Sequence, residues 1–114
     1  MSDRRLSGAA ALKVHASIFA ALGDETRLAV ITELANGRPQ SIARLTAQTD
    51  LTRQAVTKHL RVLEEAGVVR SVRVGRESRF ELAPKPLEEA RRYLDRVSAQ
   101  WDDALARLKS FVEE

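Results

Sequence analysis

The chain has 114 residues, 44% of them hydrophobic and 31% charged, with a formal net charge of +3. That composition suits one folded domain with a modest core, too small to bury all its apolar surface alone and too apolar for a disordered tail. Cysteine is absent, which excludes a disulfide framework and thiolate chemistry. No apolar run approaches the about 18 residues of a membrane span and no signal peptide is visible, so the expected location is cytoplasmic.

The charge is unevenly placed. Between Arg53 and Arg79 lie seven cations (Arg53, Lys58, Arg61, Arg70, Arg73, Arg76, Arg79) and three anions (Glu64, Glu65, Glu77), a net +4 against −1 for the remainder. A local basic patch on a nearly neutral chain is the footprint of a nucleic-acid contact.

Residues 1–8 are polar and basic and read as a flexible tail. From Ala9 to Leu22, Leu12, Phe19 and Leu22, flanked by Val14, Ile18 and Ala21, predict a helix apolar over a wide arc. One side of it suits the chain's own core and the other a second chain. His15 lies among these residues and reads as a satisfied interface side chain ahead of a ligand. Gly23 breaks the helix and Asp24 can cap the next, where Leu28, Ile31, Leu34 and Ala35 share one face as far as Asn36-Gly37. Pro39 separates this helix from a third, Ile42 to Ala47, capped by Ser41 and burying Ile42 and Leu45.

After a three-residue break, Thr49-Asp50-Leu51, Thr52 caps a helix predicted from Arg53 to Ala66, with Gly67 as its stop. At about 100° per residue, Val56, Leu60 and Leu63 fall on one side, and Gln54, Thr57, Lys58 and Arg61 on the other. Amide, hydroxyl and charged donors along one stripe suit base edges and phosphates in a major groove. On a lone helix the stripe would be a solvated face. Its position after the Ser41–Ala47 helix and before an Arg-rich hairpin favours a helix-turn-helix with a wing. His59 sits nearer the apolar side, at the rim of the core, with a phosphate or base contact as the alternative.

Beyond Gly67 the period changes to two. Val72 and Val74 point to one side and Arg73 to the other, while Ser78, Phe80 and Leu82 alternate with Glu77, Arg79 and Glu81. Gly75-Arg76 forms the hairpin tip. Phe80 and Leu82 anchor the hairpin, leaving Arg73 and Arg76 to reach DNA, whereas Arg79 either joins them or pairs with Glu77. Pro84-Lys85-Pro86 ends the hairpin, with Pro86 at the first position of the next helix. There Leu87, Ala90, Leu94, Val97, Trp101, Ala104, Leu108 and Phe111 form a heptad seam too long for the core of so small a domain. It predicts a dimerisation helix.

The run from Phe19 to Pro84 resembles the ArsR/SmtB family of small winged-helix repressors. The resemblance rests on Leu22-Gly23-Asp24-Glu25-Thr26-Arg27, on Leu51-Thr52-Arg53-Gln54-Ala55-Val56-Thr57-Lys58-His59-Leu60, and on Leu63-Glu64-Glu65-Ala66-Gly67-Val68-Val69. Gly75-Arg76-Glu77 and Phe80-Glu81-Leu82 follow in the expected order. It implies a homodimer paired through its first and last helices, and repression rather than activation. Many family members sense metals through cysteines in the third helix or through His and carboxylates on the last. Here the third helix has no soft ligand, and the last offers only Asp95, Asp102 and Asp103 among candidate donors, so no metal site or other cofactor is expected. Nor is catalysis. The pairs Glu64-Glu65, Glu88-Glu89, Asp102-Asp103 and Glu113-Glu114 are sequence neighbours about 100° apart on a helix, not acid–base dyads.

The expected fold class is mainly α with a small β-hairpin. One winged helix-turn-helix domain spans 1–114, with dimerisation helices at 9–22 and 86–112, the helix-turn-helix at 41–66 and the wing at 68–83. The expected partners are double-stranded DNA, read by Thr52, Arg53, Gln54, Thr57, Lys58, Arg61, Arg73 and Arg76, and a second copy. The second copy would be held through Leu12, Ile18, Phe19, Leu94, Val97, Trp101 and Leu108, with no membrane partner and a small-molecule effector left unknown. Two other readings stay open: a metal- or ligand-gated sensor with a site between subunits, involving His15, and a winged-helix protein-interaction module.

Overall fold

The computed structural model describes residues 3–113, with side chains from Gly8 onward. Its elements run α1 (Asp3–Leu22), α2 (Glu25–Leu34), β1 (Gln40–Ser41), α3 (Ile42–Gln48), α4 (Arg53–Glu65), β2 (Val69–Val74), β3 (Glu77–Leu82) and α5 (Pro84–Glu113). Two boundaries differ from expectation. Helix α1 starts at Asp3, so residues 3–8 are helical rather than a flexible tail, and residues 1 and 2 of that tail lie outside the described residues. Gly8, at about 1 kcal/mol, does not interrupt a helix with no other breaker. Helix α5 begins at Pro84, not Pro86. Both prolines fall in its first turn, where a missing N–H leaves no helical bond unmade.

Side-chain caps set the helix starts. The hydroxyl oxygens of Ser41 and Thr52 accept from the N–H groups of Arg44 and Ala55, each at 3.1 Å. Asp24 Oδ2 accepts from the Arg27 N–H at 3.0 Å, while the Arg27 guanidinium reaches back to the Ala21 and Ala20 carbonyls that end α1. One arginine therefore ties the end of α1 to the start of α2. That backbone N–H, helped by the nearby Arg27 and His59 charges, holds the Asp24 carboxyl below the usual carboxylate range. A lowered native pKa stabilises the fold above the unfolded-state pKa, and the contribution is lost as pH falls through the native value. Asp24→Asn keeps a capping oxygen and removes the charge, so it is expected to melt below the wild type at neutral pH. The two melting temperatures should converge as acid titrates Asp24 in thermal scans.

Helix α4 ends as its sequence predicts. Gly67 takes φ +81, and the Val68 N–H bonds to the Leu63 carbonyl while the Gly67 N–H bonds to that of Glu64. This is the Schellman pattern. Gly75 takes φ +64 and Arg76 a negative φ, the sense of a II′ turn between the paired residues Val74 and Glu77.

The sheet has three strands in the antiparallel order β1-β3-β2, one more than the expected hairpin. Gln40 pairs with Phe80 and Ser41 with Arg79. Directly paired residues share a face, so Val69, Ser71, Arg73, Ser78, Phe80 and Leu82 form the helix-facing side. Val69 is buried there and the Ser71 hydroxyl donates to Glu64 of α4 at 3.3 Å. Arg73 continues this side past the core.

The core gathers Ile18, Val30, Leu34, Leu45, Val56, Leu60, Leu63, Val68, Val69 and Ala90, with Phe80, Leu82 and Leu87 packed against it. Leu28, expected inside, is 49% exposed, and Val30 takes the buried place. The two lie about 160° apart around α2, and packing onto α4 selects the Val30–Leu34 side. The single chain is loosely drawn in, with a radius of gyration of 18.2 Å and a longest extent of 64 Å. A compact chain of this length has a radius near about 13 Å. The excess comes from α5, whose outer half runs past the core.

Candidate nucleic-acid interface

Arg53, Gln54, Thr57, Lys58 and Arg61 of α4 line one shallow surface hollow, opposite the buried Val56, Leu60 and Leu63. All but Thr57 are exposed. The Thr57 hydroxyl donates to the Arg53 carbonyl at 2.8 Å. Its oxygen lone pairs and methyl group, not its proton, thus face outward. Thr52 has the reverse pattern: its oxygen accepts from Ala55, which leaves its proton for an acceptor such as phosphate.

Ion pairing sorts the cations. Arg70 meets Glu81 and Arg79 meets Glu77, each at 2.7 Å. These are surface pairs worth about 0–1 kcal/mol, but they neutralise those two positions. Among the described residues, no ion pair holds Arg53, Lys58, Arg61, Arg73 or Arg76. The five free cations are the ones the sequence assigns to DNA. Arg76 stands at the hairpin tip and Arg73 on the strand face turned toward α4. The structure brings the α4 residues together and sets the two wing arginines apart from them, as a second prong.

The His59 ring is half-buried, its Nδ1 unpartnered, and its charge helps hold the Asp24 carboxyl down. This is the core-rim position. His15 is buried with Nδ1 unpartnered and stacks on Tyr93, ring centroids 4.7 Å apart. Tyr93, missed in the sequence because it lies outside the heptad register, also meets Phe19 at 6.1 Å. It joins α1 to α5.

Along the far half of α5 the apolar residues are open. Trp101 is 65% exposed and Phe111 79%, with Leu94, Leu108 and, on α1, Leu12 similarly uncovered. Leu105 and Val112, also exposed, widen the seam; the heptad count passes over them, although their spacing of seven repeats its register. Phe19 and Val97 are half-buried. Ile18 is a correction. At 1% exposure it belongs to its own chain's core and offers a partner no surface. Among the described residues, no three His, Asp or Glu side chains gather closely enough to hold a metal ion, and no helix is long and apolar enough to cross a membrane.

A recognition helix with an exposed donor stripe, a preceding helix packed against it and a basic two-stranded wing define a winged helix-turn-helix, the scaffold of DNA-binding regulators. A helix-turn-helix domain model matches residues 22–72. An uncharacterised HTH-type transcriptional regulator of Bacillus subtilis, YuzN, is 42% identical over 66 residues, covering 53% of this chain and 72% of that protein. An ArsR-like transcriptional regulator from Rhodococcus sp. RHA1 superposes with a TM-score of 0.77 at 41% identity, covering 90% of this chain and 95% of that one. The homodimeric winged helix-turn-helix DNA-binding domain Mb0332 of Mycobacterium bovis shares the fold at a TM-score of 0.65 and 24% identity, covering 87% and 88%. The chain belongs to the ArsR family of winged helix-turn-helix transcriptional regulators. These relatives are regulators, not enzymes.

Proposed function

We propose that the protein is a homodimeric repressor that occupies a palindromic promoter operator. The observation that carries this reading is the coincidence of the free cations with the exposed α4 stripe and the wing. Thr52 and Arg53 take phosphate at the entrance of α4. Gln54, Thr57 and Lys58 read base edges, Thr57 as an acceptor or through its methyl group, and Arg61 holds the backbone. Arg73 and Arg76 brace the wing. Helices α1 and α5 pair the two copies through Leu12, Phe19, Leu94, Val97, Trp101 and Leu108. Repression follows from steric occupancy of the promoter.

Binding of a duplex bearing the operator is expected to weaken steeply as salt rises, because several phosphates release counterions. Fluorescence anisotropy at increasing salt tests this, and affinity indifferent to both salt and sequence would contradict it. The same assay tests effector chemistry. Zn²⁺, Cd²⁺ and arsenite at micromolar levels should leave the complex intact, since α3 offers no thiolate and α5 no imidazole. Stoichiometric release by any of them would move attention to His15 and a site between subunits.

A further inference from the structure

A second basic surface lies beside the recognition helix and belongs to none of the residues assigned above. A cleft of about 820 Å³ opens between the connection from α2 to β1, the outer side of α3, and strand β3. Arg38, Arg44 and Arg79 line it, one from each of these elements, with Ser41 and Gln48 among the polar groups between them. Glu77 is the one carboxylate among the lining residues, and Arg79 already occupies it at 2.7 Å. Among the described residues, no ion pair holds Arg38 or Arg44. Three guanidinium groups on separate elements, facing one carboxylate, form a site for an extended anion.

The shape selects the kind of anion. The cleft is broad and open and its lining is mainly polar, without the apolar enclosure typical of a small-molecule pocket. Its volume holds more than one phosphate group, and guanidinium binds phosphate oxygens through paired N–H donors. Its position agrees. Helix α3 leads directly into α4 through the 49–51 turn, and Arg79 lies three residues beyond Arg76 at the wing tip. The cleft is therefore bordered by the elements that flank the recognition helix in sequence and in space.

We propose that this cleft carries the DNA strand flanking the recognition-helix contact, Arg38 and Arg44 each taking a backbone phosphate and Arg79 exchanging Glu77 for a third. The proposal rests on the DNA-binding reading above and adds contacts that hold position without reading sequence.

Anisotropy on the operator and on an unrelated duplex, from about 50 to 200 mM salt, separates the two readings. The Arg38→Ala/Arg44→Ala variant should lose affinity for both duplexes alike. The slope of log affinity against log salt should fall by about 1.8, or about 0.9 per lost phosphate contact. Arg38→Lys/Arg44→Lys should restore the slope, and Glu77→Gln should tighten binding by removing the opposing charge. If the wild type binds with its full salt slope and the double alanine variant keeps that slope, the cleft proposal falls while DNA binding stands. If the wild type binds no duplex, the DNA reading itself falls and this proposal with it. Inorganic phosphate, titrated without DNA and followed by NMR, covers the remaining source. A saturating shift at the Arg44 amide, with the DNA salt slope unchanged in the double alanine variant, would assign the cleft to a free anion and overturn the proposal.

Discussion

Replacing Trp101 with glutamate is expected to split the protein into monomers and abolish operator binding. In the single chain Trp101 is 65% exposed, midway along an apolar stripe that runs off the end of the core. A large aromatic at the centre of an interface is the usual site of its greatest energetic contribution. Glutamate there would place a desolvated charge in the pairing seam, beside its symmetry mate if the helices cross at that level, at a cost of several kcal/mol. The wild type should sediment at about twice 12.7 kDa and the variant at 12.7 kDa. Its far-ultraviolet helical signal should largely survive, because Trp101 takes no part in the buried core. Leu12→Glu on α1 should act in the same direction, whereas Ile18→Ala should act on stability, since that side chain is inside its own chain. A wild-type monomer at tens of micromolar would remove the two-fold arrangement and with it the palindromic operator.

The second large effect is on specificity. Gln54→Ala is expected to cost about 1–3 kcal/mol on the preferred site and to relax base preference at one position, by loss of a two-point contact to a base edge. Arg76→Ala should weaken all duplexes alike and lower the salt slope, because a wing-tip cation meets backbone. The ratio of operator to non-specific affinity distinguishes the two. It should collapse toward unity for Gln54→Ala at one base pair and stay constant for Arg76→Ala. Equal behaviour of both variants would mean that α4 presents another face to the groove.

How much of this was legible depended on the range of the interaction. Local signals were reliable. Thr52, Gly67 and Gly75 each act within a few residues through a cap or a positive φ, and they set the limits of α4 and the hairpin as read. The period of α4 was decisive because buried Val56, Leu60 and Leu63 oppose an uninterrupted polar stripe. Where a helix is apolar on more than one side, sequence could not choose the buried side. In α2 Leu28 and Val30 competed, and in α1 Ile18 and Leu12 did, and the winner was set by α4 packing from elsewhere in the chain. Strand β1 was missed because two residues carry no periodicity and its pairing with β3 spans some forty positions. The Arg38–Arg44–Arg79 cleft is assembled from three separate segments, so no window of sequence displays it.

The central claim is that two recognition helices, fixed by the α5 seam, read a two-fold DNA site. Selection of bound sequences from a random duplex pool tests it most directly. The account predicts enrichment of an inverted repeat whose half-site centres lie about 34–36 Å apart, or about 10–10.5 base pairs, or a whole multiple of that turn. Mutual spacing should be fixed, and base preference within each half-site should soften for Gln54→Ala. Enrichment of a single unrepeated half-site, or no enrichment over the starting pool, would contradict it.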